Sequence, residues 1–216
     1  MKKFFGKIVR AVALTGIVAV ISFAQSVTSN DGVLKDPRDG KTYRTVKIGN
    51  QVWMAENLNF KNKGSSCFDK KQENCDKYGR LYTWKAAQKA CPAGWHLPKR
   101  QELDALMELA QKTASDESKA SAVLKSKTGW TNHGKKDESG DDLLGFNALP
   151  VGYMGDEEEG NSPYISETYA AFFWSSTSDK DYNPDAYRLG LFYGDVHVAV
   201  GPLPKYYGMS VRCLKN

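Results

Sequence analysis

Four cysteines constrain this chain more than any other residues. They either cross-link the fold or hold a metal, and the two outcomes demand different architectures. Cys67, Cys75, Cys91 and Cys213 are the only four in 216 residues. Which outcome applies depends on compartment, and the N-terminus speaks to that. Lys2, Lys3, Lys7 and Arg10 precede a 14-residue apolar run, Ala11 to Ala24. Ser22-Phe23-Ala24 puts small residues at the −3 and −1 positions of a cleavage site. This is the secretory pattern, with cleavage expected after Ala24. Fourteen residues fall short of the roughly 20 needed to cross a bilayer as a helix. No Cys follows the run as lipoprotein processing requires, and no later apolar run is long enough to span. The chain reads as exported, to the periplasm, the cell surface or the medium, with no membrane span once 1–24 is removed.

An even number of cysteines in an oxidising compartment reads as two disulfides. A zinc site would want closely paired C-x-x-C or His ligands. Here Cys67 and Cys75 are eight apart, and His96, His133 and His197 are scattered. Three connectivities are open; locality favours Cys67 with Cys75, which leaves Cys91 with Cys213. No metal or other cofactor is expected. The formal charge is +5, but four of those charges lie ahead of the cleavage site, so the exported part is nearly neutral. That argues against nucleic acid, which needs a concentrated cationic face.

Residues 25–35 read as a polar, flexible tail and 36–216 as one domain. Thr42 to Ile48 and Gln51 to Met54 flank Gly49-Asn50, a hairpin signal. Phe60 to Asp76 reads as a polar loop. Thr83 caps a short helix through Ala90, which Pro92 and Gly94 stop. A second helix is predicted over Lys99 to Lys112, with Leu103, Leu106, Met107 and Ala110 as its apolar stripe. A third covers Asp116 to Lys127, ahead of a charged loop over Lys135 to Asp142. Short strands are predicted over Phe146 to Tyr153, Ala171 to Ser176, Ala186 to Tyr193, Asp195 to Val200 and Tyr207 to Leu214, with Gly194-Asp195 as a turn. Hairpin, helices, then strands make an α+β pattern of short antiparallel strands with two or three helices, stapled by disulfides. Trp53, Trp84, Trp95 and Trp174 are expected in the core, and Tyr164, Tyr169 and Tyr182 as exposed contacts.

No catalytic set emerges. There is no G-x-S-x-G elbow, and no His stands in a catalytic motif; His96, between Trp95 and Leu97, reads as structural. The tract Asp156 to Glu159 reads as a solvated loop. Asp179, Asp181, Asn183 and Asp185 alternate like the start of an EF-hand loop, but Pro184 stands where Gly is needed and Gly190 where a bidentate Glu is needed, which leaves only a calcium site of another kind open in this loop.

Seven stretches together resemble the Fibrobacter succinogenes major paralogous domain. They are Asp36 to Tyr43 (DPRDGKTY), Ile48 to Leu58 (IGNQVWMAENL), Tyr78 to Trp84 (YGRLYTW), Ala90 to Pro98 (ACPAGWHLP), Gly145 to Pro150 (GFNALP), Phe173 to Thr177 (FWSST) and Ser210 to Cys213 (SVRC). The chain departs at Lys99, where that family often has Ser; a Ser would cap the second helix and Lys does not. A looser likeness, carried by Trp84-x-x-Ala-x-x-x-Cys91, implies a C-type lectin-like fold in which this helix is tied to the last strand. The calcium-dependent sugar signatures Glu-Pro-Asn and Trp-Asn-Asp are absent. The resemblance gives a name more than an activity; taken with the leader, the chain reads as an exported, non-enzymatic binding or adhesion module for a surface polysaccharide or a cell-envelope protein. A structural envelope protein without a small ligand, or a hydrolase, is the alternative. The ligand face of such folds is expected in the irregular segment Met154 to Tyr187, with Asp179, Asp181, Tyr182, Asn183 and Asp185 as the contacts: Tyr182 stacking on a sugar, the Asp and Asn side chains hydrogen-bonding it.

Overall fold

The computed structural model describes residues 32–131, 137–156, 162–194 and 198–216. The expected leader, 1–24, lies outside them. Gly32–Lys35 (β1), Thr42–Ile48 (β2) and Gln51–Met54 (β3) open the chain as an antiparallel meander. Gly49, at φ +59°, turns the second hairpin, as its Gly-Asn signal predicts. The expected tail over 25–35 is corrected at its end. Val33 pairs with Arg44 and Leu34 with Tyr43, and burial of Leu34 holds the strand down.

The polar loop over Phe60 to Asp76 also holds more structure than expected: Ser65–Ser66 (β4) and a helix, Gln72–Tyr78 (α1). The Cys67–Cys75 bridge, with 4.9 Å between Cα atoms, draws the helix against the preceding turn and buries Cys75. Leu81–Thr83 (β5) leads into Trp84–Ala87 (α2), where the Thr83 hydroxyl accepts from the Ala86 N–H. That helix ends sooner than expected and continues as turns to Ala90. Trp95–His96 (β6) precedes Arg100–Thr113 (α3). Lys99 offers the first turn of α3 no side-chain acceptor; instead Glu102 reaches back to accept from the Lys99 N–H at 2.7 Å. The third helix shrinks to Ala120–Leu124 (α4).

The later strands are Tyr153–Met154 (β7), Tyr164–Ile165 (β8), Ala170–Ser178 (β9), Asp185–Phe192 (β10), Ala199–Pro204 (β11), Gly208–Met209 (β12) and Leu214–Lys215 (β13). They join the early strands in three sheets, ordered β1-β2-β3-β13-β6, β11-β10-β9 and β4-β5-β12-β7-β8. The strand expected over Phe146 to Tyr153 is largely irregular, because side chains occupy its backbone groups. Asp142 Oδ1 accepts from the Asn147 N–H at 2.6 Å, and Arg212 Nη2 donates to the Asn147 carbonyl at 2.8 Å. The expected strand over Asp195 to Val200 appears later, as β11, and its first residues with Asp195 of the expected turn lie outside the described residues.

Strand β9 is the wall between two cores. Its run AAFFWS is buried on both faces, the burial that a continuous apolar strand predicts. Ala171 and Phe173 face the cluster of Val46, Trp53, Leu103, Leu106 and Leu189; Ala170, Phe172 and Trp174 face the cluster of Tyr82, Ala87, Met209 and Val211. Of the expected core, Trp53, Trp174, Leu103 and Leu106 are buried, whereas Trp84, Trp95 and Met107 are only half-buried at the rims. Trp130 is fully buried and was not foreseen.

The motif residues meet behind this wall. Arg212 is buried, with its guanidinium 4.3 Å from the Phe146 ring centre and 5.1 Å from that of Phe173. Its Nε donates to Asn57 Oδ1 at 2.9 Å, and Asn57 Nδ2 donates to the Tyr78 carbonyl at 2.8 Å. Gly79, at φ +77°, passes so close that a Cβ there would lie 2.7 Å from that of Asn57. The Cys91–Cys213 bridge, with Cα atoms 5.7 Å apart, ties the end of the α2 segment to the chain just before β13. All four cysteines are therefore disulfide-bonded, in the expected pairs.

Candidate functional site

Strands β9, β10 and β11 pair antiparallel, so directly opposed residues point the same way. One face of this sheet packs on α3 through Phe173, Leu189, Leu191 and Val200. The other carries Phe172, Arg188, Gly190, Phe192, Gly201 and Leu203. Near β9 this second face is covered by Tyr153, Tyr207 and Met209. Toward β11 it opens: Ala199 is exposed, and a Cβ built on Gly201 would meet nothing within 4 Å.

A row of rings borders the open part. Tyr206 and Tyr207 meet edge to face at 4.9 Å, and Tyr207 lies 5.4 Å from Tyr153. Tyr153 lies 5.3 Å from Phe172, and Phe172 lies 5.3 Å from Phe192. Tyr206 is 55% exposed, and its hydroxyl donates to Asp156 Oδ2 at 3.2 Å. Partial desolvation and the Asp156 carboxylate push that phenol up to about 12.

Arg188 lies across the same face. Its guanidinium sits 5.1 Å from the Phe172 ring centre, and Nη1 donates to the Ala199 carbonyl at 3.3 Å. Nε is buried without a partner. Burial lowers its pKa to about 10. Gly190 makes the room: a Cβ there would stand 2.4 Å from Arg188 Nη1.

The contacts expected from the sequence fall on the β9–β10 turn, next to this face. The segment Met154 to Tyr187 is only partly irregular, since β8, β9 and the start of β10 lie within it. In the turn, Asp179 Oδ1 accepts from the Asp181 N–H at 3.0 Å, and the Asp179 N–H donates to the Asp185 carbonyl at 2.9 Å. Lys205 Nζ donates to the carbonyl of Asn183, and to its Oδ1 at 3.1 Å. Asp185 Oδ1 is buried and unpartnered. Asp181, Tyr182 and Asn183 are exposed, Tyr182 at 61%. The Asp179 carboxylate thus serves the turn's own backbone, and among the described residues no three His, Cys, Asp or Glu stand where they could share a metal ion. Tyr164 and Tyr169 are half-buried rather than exposed. Of the acidic tract only Asp156 is described. His96 is engaged on both ring nitrogens, by Asn216 Oδ1 at 2.7 Å and Glu102 at 3.1 Å.

Sequence reasoning missed Tyr153, Arg188, Tyr206 and Tyr207. One signal was present: Arg188 and Gly190 interrupt an otherwise apolar strand, AYRLGLF. A concavity of about 510 Å³ is lined by Tyr43, Arg44, Glu56, Asn57, Tyr78 and Asn147, which come from four of the seven motifs and the residue beside one of them. Several of its polar groups are committed to one another. Glu56 accepts from the Arg44 N–H at 2.6 Å, and Asn57 is held by Arg212 and Tyr78 as described.

Fold and site together define a class: an α+β domain closed by two disulfides, with an open, aromatic-bordered sheet face. Within that class, the chain belongs to the Fibrobacter succinogenes major domain family, whose match spans residues 46–215. The stretch DPRDGKTY and β1 lie ahead of the matched part. No curated protein and no solved structure matches the chain.

Proposed function

We propose that this chain is an exported, non-enzymatic binding module of C-type lectin-like fold whose ligand is a polysaccharide. The ring row from Tyr206 to Phe192 beside an open sheet face carries the reading. Aromatic rings offer flat apolar area to the C–H faces of sugars, while their hydroxyls and nearby polar groups set orientation. The Cys91–Cys213 tie between the α2 segment and the last strand supports the lectin-like architecture. Two disulfides and the basic, then apolar, N-terminal sequence support export. The commitment of both His96 nitrogens to structural partners supports a role without catalysis.

A glycan array and insoluble-polysaccharide pull-downs with the exported protein test this. Tyr206→Ala is expected to weaken retention about two- to tenfold, the range that one aromatic contact contributes, with an unchanged thermal midpoint. Loss through Tyr182→Ala and Asp181→Ala, with Tyr206→Ala neutral, would move the site to the β9–β10 turn. Retention on no polysaccharide would overturn the reading.

A further inference from the structure

Arg188 is a charge that the described fold leaves unanswered. A guanidinium has five N–H donors in a fixed fork suited to a carboxylate. Here one donor reaches a carbonyl at 3.3 Å, the Nε–H reaches nothing, and the nearest aromatic ring offers only its face. No described carboxylate pairs with it. Asp156 stands at the far end of the ring row, on Tyr206, with Tyr207 and Tyr153 between it and the Phe172 ring under Arg188. Desolvating a cation without a partner is costly, and burial already lowers the Arg188 pKa. Yet space is kept for it at Gly190, and space is left open beside it at Gly201, directly across the β10–β11 ladder.

Resting on the polysaccharide reading above, we propose that Arg188 receives a carboxylate of the ligand, so that the polysaccharide bound at this face is built from acidic sugars. The sugar ring lies against the open sheet face and the bordering tyrosines, and its carboxylate accepts from the guanidinium. A bidentate pair at a half-desolvated site outweighs the same pair in water. A neutral sugar would leave the cation as it is.

The test compares polygalacturonate with its fully methyl-esterified form, which keeps the sugar backbone and removes the charge. The exported protein should bind the acid at least about tenfold more tightly than the ester, and added salt should erode that preference. Arg188→Gln should abolish the preference. Gly201→Glu provides a second variant that leaves Arg188 in place. It puts a carboxylate opposite the guanidinium, and should both raise the thermal midpoint and displace polygalacturonate. Equal binding of acid and ester, with Tyr206→Ala still weakening both, would overturn the acidic-sugar inference and leave the polysaccharide reading standing. A folded Arg188→Gln or Gly201→Glu protein that keeps the preference would overturn it too. Retention on neither polymer, nor on any other polysaccharide, would overturn both.

Discussion

Arg212 and Asp36 are two ways of holding a charge inside this protein. Arg212 has no described ion-pair partner. Its Nε and Nη2 donate to the Asn57 amide oxygen and the Asn147 carbonyl while Nη1 is buried without a partner, its guanidinium lies against Phe146 and Phe173, and burial lowers its pKa to about 9. Arg212→Ala would strand the buried Asn57 acceptor and the half-buried Asn147 carbonyl and leave a cavity, a cost of about 3–5 kcal/mol, read as a lower denaturant midpoint. Asp36 is buried and paired with Arg38 at 2.6 Å. Arg38 in turn donates to the Ala90 carbonyl at 2.7 Å and holds the C-terminal end of the α2 segment. Burial alone would raise the Asp36 pKa, but the hydrogen bonds and charge of Arg38 outweigh it and hold the carboxyl below the usual carboxylate range. A lowered folded pKa stabilises above the unfolded value, and that contribution is lost as pH falls through the folded one. Asp36→Asn should therefore reduce the thermal midpoint at pH 6, and the gap from the unsubstituted protein should close as pH drops below about 4.

Among the elements, α3 is the best specified. Its stripe at spacings of three and four residues places Leu103, Leu106 and Ala110 in the first core, all buried. Leu106→Ala should cost about 2–5 kcal/mol; Met107→Ala, at the half-buried rim, should cost clearly less in the same denaturant titration. Equal effects would mean that the helix is rotated about its axis. Helix α1 shows the reverse. The sequence QENCDKY has no apolar stripe and reads as loop, yet it is helical. The Cys67–Cys75 bridge and the Asn59 amide, which donates to the Cys75 carbonyl at 2.9 Å, hold it in place.

At the scale of the whole molecule, the two bridges do different work. Cys91–Cys213 closes a separation of 122 residues and Cys67–Cys75 one of 8. In the chain-entropy model the long closure stabilises by about 5 kcal/mol and the short one by about 2.5, as upper estimates. A Cys91→Ala/Cys213→Ala pair should thus lower the midpoint roughly twice as far as a Cys67→Ala/Cys75→Ala pair. Comparable losses would mean that the short bridge stabilises through α1 packing rather than through chain entropy. The long bridge also unites distant strands, since β13 pairs with both β3 and β6.

By itself the sequence determined what rests on local physics: the β2–β3 hairpin through Gly49-Asn50, the Thr83 cap, the stripe of α3, the buried run of β9 and the disulfide partners. Family membership was equally legible in its motifs. The tertiary structure decided what depends on which distant residues meet. Asn57, Asn147 and Arg212 are far apart in the chain and form one buried node; nothing in their spacing announces it. The open face was hidden for the same reason. Tyr153, Arg188 and Tyr206 come from three segments, and only the ladder of β10 with β11 shows that a half-buried Arg188 lies across Gly190 with open space at Gly201 opposite. The alternating acids from Asp179 also needed the tertiary structure to be read. Their spacing looks like a ligand set, but a tight turn between paired strands needs side-chain acceptors for its own backbone N–H groups, and Asp179 supplies one.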